Sequence, residues 1–261
     1  MAHTSTNVLA IATQKGGVGK TTTALNLGAA LVILGKKTLV MDLDPHASAT
    51  IHLAYYPENI TVSVLELFLR EKVDLEFLNS VIKKDKRHFF DFIPGSIKLS
   101  MVESELKEKP GKGLILKNAI ARLKDKYEYI ILDCPPNFGI ILINALVAST
   151  LTVIPIQAEF LALHGLKLTF DTIRMLNKVL PNFIQYKVLA TMFDQRVGAC
   201  RRVVEVLRQN LKDKFFKTII SIDTKFREAS AKGELIYNLY PKSRGAKQYL
   251  QLAKEIENMR K

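Results

Sequence analysis

The chain has 261 residues, of which 48% are hydrophobic and 24% charged, and we expect its polar first residues to carry no secretory signal. Because no apolar run approaches the roughly 20 residues that span a bilayer, and the two cysteines lack metal-ligand spacing, we predict a cytoplasmic protein without a membrane span. Lys and Arg outnumber Asp and Glu by 38 to 25, and the net charge of +13 favours a polyanionic partner, either nucleic acid or an anionic membrane surface.

Short apolar runs alternate with helical patterns along the chain. The runs predict buried strands over residues 7–13, 38–43, 88–93, 129–133, 151–155, 186–193 and near 218–222. The patterns between them predict helices over residues 19–34, 61–70, 74–82, 113–124, 163–180, 201–211, 225–232 and 244–259. This alternation predicts an α/β fold with a twisted, mainly parallel sheet and helices on both faces. Because no repeat or linker interrupts it, we expect residues 1–261 to form a single domain.

A glycine-rich loop of the phosphate-binding type follows the first predicted strand and opens the first predicted helix. It consists of Lys15, Gly16, Gly17, Val18, Gly19, Lys20, Thr21 and Thr22. Backbone N–H groups of such a P-loop surround nucleotide phosphates, and the helix N-terminus adds a partial positive charge. We expect Lys20 to reach the β- and γ-phosphates of ATP, Thr21 to bind Mg²⁺ and Thr22 to donate to the α-phosphate.

Three aspartates lie at the ends of predicted buried strands: Asp42, Asp44 and Asp133. A carboxylate in such a place is poorly solvated unless a cation lies beside it. Ligands of open α/β sheets bind beyond the carboxyl ends of the strands, where all three aspartates fall. Since Mg²⁺ keeps several waters and takes few protein ligands, one hydroxyl with water-bridged carboxylates is sufficient to hold it.

The position of Lys15, five residues before Lys20, distinguishes this loop from an ordinary P-loop. The form KGGVGKTT resembles the deviant Walker A motif of the ParA/MinD family of P-loop ATPases. Further similar segments follow in order: VMDLDP (40–45), IILDCPP (130–136), IPIQAEFLALHGL (154–166) and YPKSRGAKQYLQLAKE (240–255). The resemblance, which covers nearly the whole chain, implies that Lys15 crosses a dimer interface to the partner's nucleotide, so that ATP links two subunits.

The resemblance also implies roles for single side chains. Asp44 would position the attacking water, Asp42 would support the metal site, and Asp133 would hold Mg²⁺ through water. The residues expected to take part in catalysis are Lys15, Lys20 and Asp44. Beyond the P-loop, the residues expected beside the nucleotide are Pro136, Ser221 and Asp223.

Two segments depart from the family pattern. Residues 44–48 read Asp-Pro-His-Ala-Ser where chromosome-partitioning members often have Asp-Pro-Gln-Gly-Asn, which reflects either neutral drift or a different cargo. Residues 220–223 read Ile-Ser-Ile-Asp where the family usually has Ile-Pro, a basic residue and Asn. The second segment resembles the one that contacts adenine, so the contacts to the base stay open.

Basic residues concentrate in the last third of the chain, where 17 Lys and Arg accompany 8 Asp and Glu from residue 181 onward. ParA-type members use the ATP-bound dimer to bind DNA without sequence preference, whereas MinD-type members bind membrane through a C-terminal amphipathic helix. The stripe of Tyr249, Leu252, Ala253 and Ile256 is more simply explained by a helix packed on the sheet. We therefore expect no stable membrane association. The residues expected to contact DNA phosphates are Arg196, Arg201, Arg202, Lys225, Arg227 and Lys247. Each of these side chains, taken singly, could equally be a solvated surface charge.

The sequence thus predicts a weak ATPase that uses ATP and Mg²⁺, forms a homodimer around the nucleotide and binds DNA non-specifically. By family analogy, a ParB-type centromere-binding partner stimulates hydrolysis during chromosome or plasmid segregation on the nucleoid. The alternatives are positioning of a protein cargo, such as a chemotaxis array, by the same switch and a MinD-like membrane-associated positioning ATPase.

Overall fold

The strands form one sheet with an antiparallel pair at one edge. The structure, a computed structural model, describes residues 6–159 and 162–259. Its strands are β1 (Asn7–Ile11), β2 (Thr38–Asp42), β3 (Lys83–Lys84), β4 (Asp91–Ile93), β5 (Tyr129–Asp133), β6 (Leu151–Gln157) and β7 (Tyr186–Thr191). They are hydrogen-bonded in the order β3-β4-β2-β5-β1-β6-β7, with β3 and β4 antiparallel and the other pairs parallel. The predicted α/β class is confirmed.

Helices occupy the connections between the strands and follow the last of them. They are α1 (Lys20–Ile33), α2 (Ser48–His52), α3 (Leu65–Leu69), α4 (Leu75–Val81), α5 (Val102–Glu105), α6 (Ile115–Ala121), α7 (Ile140–Ala148), α8 (Ala162–Asn177), α9 (Gly198–Leu211), α10 (Lys225–Ser230), α11 (Ile236–Leu239) and α12 (Arg244–Asn258). Short 3₁₀ turns lie at Pro57–Asn59, Lys86–His88, Ile97–Met101, Lys112–Leu114 and Lys212–Lys214.

The central strands are buried on both faces, which explains why they read as continuous apolar runs. Successive side chains of a strand point to opposite faces. In β5, Ile130 and Leu132 belong to one core, while Tyr129 and Ile131 belong to a second core built with α1, α11 and α12. Full burial of each such aliphatic side chain contributes about 1.5–3 kcal/mol. Helices therefore cover both faces of the sheet, as predicted.

The register of the central strands brings the predicted site together. Ile11 of β1 and Asp42 of β2 both lie opposite Asp133 of β5, so these three strands end at the same level. The P-loop begins a few residues after Ile11. Two of the three aspartates are thus placed beside the phosphate loop by strand pairing alone.

The predicted strand near 218–222 is wrong, because this segment makes only isolated bridges within the described residues, including one from Phe193 to Ser221. Its Ile220 N–H donates to β7, but the backbone N–H groups of Lys217 and Thr218 donate to the Glu255 carboxylate of α12, at 2.8 and 2.9 Å. A side chain thus takes the donors that a regular strand ladder would need.

Several other boundaries also differ from the predictions. The expected strand over 88–93 is reduced to β4, because a 3₁₀ turn occupies Lys86–His88. The helices α2, α5, α7 and α11 were not predicted. In α7 the run IILINALVA is apolar on nearly every side, so it shows no 3.6-residue period.

Helix α12 packs its apolar stripe into the core, as expected. Tyr249, Leu252, Ala253 and Ile256 are all buried there, and the Ser243 hydroxyl caps the helix by accepting from the Ala246 N–H. Because these side chains are buried in a core shared with α1, they are not free to enter a lipid surface. Among the described residues, none of the helices combines the length and apolarity required to cross a membrane.

Candidate nucleotide and magnesium site

The P-loop leaves its backbone donors available for an anion. Gly17 and Gly19 have φ angles of 73° and 86°, in the left-handed region that favours glycine. Val18 is buried, and its carbonyl oxygen accepts from the Thr191 hydroxyl at 2.9 Å, which ties the loop to β7. Within residues 6–159 and 162–259, no side chain caps the N-terminus of α1. The first N–H groups of this helix are therefore free to bind phosphates.

Lys20 lies inside the loop and points back along it. Its ammonium donates to the Lys15 carbonyl oxygen at 3.2 Å, and the residue is only 7% exposed. Burial lowers the pKa of Lys20, while the charges of Asp133 and Asp44 act in the opposite direction. The ammonium is thus held close to the predicted metal-binding carboxylates, where phosphate charge would compensate its desolvation.

Asp133 is the strongest indication of a cation-binding site. Its carboxylate is buried, and neither oxygen accepts a hydrogen bond of good geometry within the described part of the chain. Burial and the neighbouring Asp42 raise the pKa of Asp133, whereas the Thr21 hydroxyl and the Lys20 ammonium oppose this rise. A buried carboxylate of this kind requires a positive partner. Thr21, Asp133 and bound waters fit the sparse protein ligation of Mg²⁺.

Both carboxylate oxygens of Asp42, by contrast, accept hydrogen bonds from neighbouring residues. One of its oxygens accepts from the Thr50 N–H at 2.9 Å and the Thr50 hydroxyl at 2.7 Å, and the other accepts from the Asp44 N–H at 3.1 Å. Burial raises the pKa of Asp42 to about 6, although these hydrogen bonds lower it. Gly95 lies so close that an added Cβ would fall 2.8 Å from the Asp42 carboxyl carbon. Asp42 therefore anchors the loop that carries Asp44.

Asp44 is held from one side and open on the other. Its Oδ1 accepts from the backbone N–H of His46 at 3.0 Å and contacts the ring Nδ1 of His46 at 2.9 Å. Asp44 lines a cavity of about 440 Å³, together with Pro136, Glu103 and Phe138. Pro136, expected beside the nucleotide, thus lies in the cavity on the Asp44 side.

The second lysine of the loop, Lys15, is bound within its own chain. Its ammonium lies 2.5 Å from the Glu159 Oε1, with 30% and 42% of the two side chains exposed. Gly165 of α8 approaches closely, since an added Cβ there would lie 3.2 Å from the Lys15 Cβ. Glu159 was not singled out from the sequence, because 144 residues separate it from Lys15.

A second cavity, of about 340 Å³, adjoins the P-loop at Gly19 and Thr22. Its lining includes Gly19, Thr22, Ser221, Asp223, Phe226, Arg227 and Tyr249. Ser221 and Gln248 are paired reciprocally: the Ser221 N–H donates to the Gln248 Oε1, and the Gln248 amide donates to the Ser221 hydroxyl. The Asp223 carboxylate accepts from the N–H groups of Lys225 and Gly245. These side chains shape the cavity wall.

The basic residues predicted to contact DNA gather in part at one edge of the fold. The segment after β7, which carries Arg196, is hydrogen-bonded to residues 220–222, and Asp223 joins the start of α10 to the start of α12. Lys225 and Lys247 lie near the starts of α10 and α12, and Arg201 and Arg202 lie near the start of α9. The structure places Arg227 at the second cavity.

Two of these cations have acidic partners. The Arg196 guanidinium lies 2.7 Å from the Asp194 Oδ2, and the Lys225 ammonium lies 2.8 Å from the Glu228 Oε2. Asp194 and Glu228 were not singled out from the sequence. The three-residue spacing of Lys225 and Glu228 in α10 could have indicated that pair, whereas the spacing of Asp194 and Arg196 gives no such signal.

A P-loop before the first helix, beside an unpaired carboxylate at the end of a neighbouring parallel strand, defines a P-loop nucleotide-binding protein. A family model described as "AAA domain" matches residues 6–228. The sporulation initiation inhibitor protein Soj of Bacillus subtilis is 40% identical over 250 residues, which cover 95% of this chain and 97% of that protein. The chromosome partitioning protein ParA of Myxococcus xanthus is 34% identical, with coverages of 95% and 87%.

Solved structures agree with these relatives. The crystal structure of cobyrinic acid a,c-diamide synthase from Mycobacterium smegmatis, with bound ATP analog and magnesium, has a TM-score of 0.83 at 29% identity. The comparison covers 98% of this chain and 96% of that one. The chain therefore belongs to the ParA/MinD family of P-loop ATPases, which confirms the resemblance seen in its motifs.

Proposed function

We propose that the chain is a ParA-type partitioning ATPase with a single ATPase domain and weak intrinsic activity. It binds ATP and Mg²⁺, forms a homodimer around the nucleotide and holds DNA without sequence preference while ATP is bound. A ParB-type partner stimulates hydrolysis during chromosome or plasmid segregation, in the cytoplasm and on the nucleoid. The observation that carries the proposal is the unpaired, buried Asp133 carboxylate next to Lys20, in a loop that also contains Lys15.

The nucleotide lies across the P-loop in this proposal. Its phosphates accept from the free N–H groups of α1 and from Lys20, and its base enters the cavity beside Ser221 and Asp223. Mg²⁺ at Thr21 and Asp133 neutralises charge on the phosphates. Asp44, with Asp42 as its anchor, accepts a hydrogen bond from the attacking water and so orients it.

Lys15 is the proposed link between the subunits. It is partly exposed at the mouth of the loop, and its ion pair with Glu159 is half open to solvent. Such a pair contributes at most about 1 kcal/mol. Phosphates of a second subunit's nucleotide offer a stronger partner, so Lys15 exchanges Glu159 for them when two subunits meet.

ATP-dependent dimerisation is also proposed to control DNA binding. The basic edge around Arg196, Lys225 and Lys247 and the first turn of α9 supply the cations, and a dimer doubles them. Because such contacts go to phosphates, binding is insensitive to sequence and falls steeply with salt.

Nucleotide binding is tested with Lys20→Ala and a matched control, Lys117→Ala, which removes an exposed lysine from α6. Titration with a fluorescent ATP analogue should show affinity reduced about 10- to 150-fold for Lys20→Ala, as expected from losing one or more charge-assisted hydrogen bonds. The control should bind as the unmodified chain does. Equal affinity in all three proteins would refute the assignment of the site.

The choice between DNA and membrane is tested by measuring how much protein is retained on DNA and on anionic liposomes. The protein is loaded with a slowly hydrolysed ATP analogue, and the salt concentration is raised stepwise. The logarithm of DNA affinity should fall linearly with the logarithm of salt concentration, with a slope of about −0.9 for each phosphate contacted. The double variant Arg201→Ala/Arg202→Ala should weaken binding and flatten the slope, whereas Lys117→Ala should do neither. Retention by liposomes and not by DNA would replace this proposal with a MinD-like membrane function.

A further inference from the structure

We propose that His46 is a positioning residue for ATP hydrolysis, a role that rests on the one proposed for Asp44 above. Its ring holds one oxygen of the Asp44 carboxylate and leaves the other directed to the attacking water. The proposal rests on the hydrogen bonds that His46 makes to Asp44.

The geometry of the contact is specific to one oxygen. The backbone N–H and the ring Nδ1 of His46 both meet the Asp44 Oδ1, at 3.0 and 2.9 Å. Within the described residues, the Asp44 Oδ2 accepts no hydrogen bond from the chain. Two donors on one oxygen fix the rotation of the carboxylate and leave Oδ2 free to accept from water.

The backbone beneath the ring is built to keep this contact. The Ala47 N–H donates to the Asp44 carbonyl oxygen at 2.8 Å, and Ala47 itself is buried with a φ angle of 50°. A non-glycine residue in this left-handed conformation costs about 1–2 kcal/mol, so the turn is held by its surroundings. Thr50 of α2 closes the segment by donating to Asp42.

The His46 ring contributes little to packing. The His46 side chain is 73% exposed, whereas that of Asp44 is only 11% exposed. An exposed ring adds little by packing, so its hydrogen bond to Asp44 is its main interaction. Asp44 also feels the negative charges of Asp42 and Asp133. The ring donor of His46 adds favourable charge-assisted hydrogen bonding to a carboxylate that lies among negative charges.

The test compares two substitutions of nearly equal shape. In His46→Asn the side-chain amide places a donor near the position of Nδ1, whereas His46→Leu has the same branching and no donor. Loss of one hydrogen bond to a charged group should lower kcat of His46→Leu about 5- to 20-fold while KM for ATP stays within twofold. His46→Asn should keep at least half of the wild-type kcat.

Further measurements separate the possible failures. Both variants should match the wild type in thermal unfolding, because the ring is exposed. Wild-type kcat in His46→Leu, or an equal loss in the two variants, would overturn the role of His46. Asp44→Asn is measured in parallel. If it hydrolyses ATP at the wild-type rate, the role proposed for Asp44 fails. If it is inactive while His46→Leu keeps the wild-type kcat, the His46 proposal fails alone.

Discussion

Replacing Asp133 by asparagine removes a buried negative charge that lacks a hydrogen-bond partner of good geometry within the described residues. In the protein without metal and nucleotide, the carboxylate is desolvated and lies near the charges of Asp42 and Asp44. Lys20 compensates it only in part, because it is itself buried. Asn keeps the shape of the side chain and removes the charge. We therefore expect Asp133→Asn to be more stable than the wild type in the absence of Mg²⁺, although it should lose activity.

The magnitude follows from the cost of an unpaired buried group. A buried polar group without partners costs about 1–3 kcal/mol, and a charged one costs more. The asparagine amide is also buried, but it can donate to the neighbouring carboxylates, so a net gain of about 2 kcal/mol is expected at pH 8. For a chain of this size, 1 kcal/mol corresponds to about 2–4 °C in Tm. The expected rise is therefore about 4–8 °C.

The gain should depend on pH in a definite direction. The pKa of Asp133 is raised above its unfolded value near 4. Below that value both the folded and the unfolded chain carry the proton, so the charge costs nothing. As pH rises, the unfolded chain loses its proton first, and the wild type is progressively destabilised. The advantage of Asp133→Asn should thus be largest at pH 8 and should vanish toward pH 4.

Thermal and urea unfolding in EDTA, at pH 5 and pH 8, measure this effect. Asp125→Asn is the matched control, because it removes a carboxylate from an exposed position, and its stability should change by less than about 0.5 kcal/mol. Adding Mg²⁺ and ATP should stabilise the wild type more than Asp133→Asn. A variant less stable than the wild type at pH 8 without metal would refute the claim that Asp133 is an uncompensated charge.

Three further contacts give predictions of their own. Glu159→Gln should free Lys15 and lower the ATP concentration needed for dimerisation about 2- to 5-fold in sedimentation experiments, since a half-exposed pair contributes under about 1 kcal/mol; weaker dimerisation would mean that Glu159 helps to bind the partner. Asp194→Asn should release Arg196 and raise DNA affinity about 2- to 5-fold at low salt, with the gain disappearing at high salt. Gln248→Leu removes both hydrogen bonds between Gln248 and Ser221 and should weaken ATP binding about 5- to 10-fold in nucleotide titrations. An unchanged Kd would show that nucleotide binding does not depend on these two hydrogen bonds.

The sequence predicted best those parts of the fold in which the local residue pattern and the tertiary packing favour the same structure. The strand over 129–133 was placed correctly at both ends, because a fully buried parallel strand is apolar throughout and ends at a charged residue. The P-loop was predictable because its glycines, lysine and threonine are required by local backbone geometry. The convergence of Asp42 and Asp133 followed from the rule that ligands bind at the carboxyl ends of strands.

The contacts that sequence reasoning missed join residues far apart in the chain. Glu255 ends the expected strand near 218–222 from a helix 37 residues away, and Glu159 reaches Lys15 across 144 residues. Nothing in the local pattern around either glutamate distinguishes it from a solvated surface charge. Such contacts depend on how the elements pack, which periodicity and capping signals do not determine.

The three aspartates of the site show how one residue type acquires different properties from its surroundings. The Asp42 carboxylate accepts three hydrogen bonds from the chain and so anchors its loop. Within the described residues, the Asp133 carboxylate accepts no hydrogen bond of good geometry, so a bound cation would stabilise it. Asp44 lies between these extremes, with one oxygen held by His46 and the other free. This gradation supports the roles proposed for them, because a metal ligand needs unshared lone pairs and an orienting base needs one fixed and one open oxygen. It also explains why His46 matters: without its ring donor, the Asp44 Oδ1 would keep only the backbone N–H of His46, and the carboxylate would be held less firmly toward water.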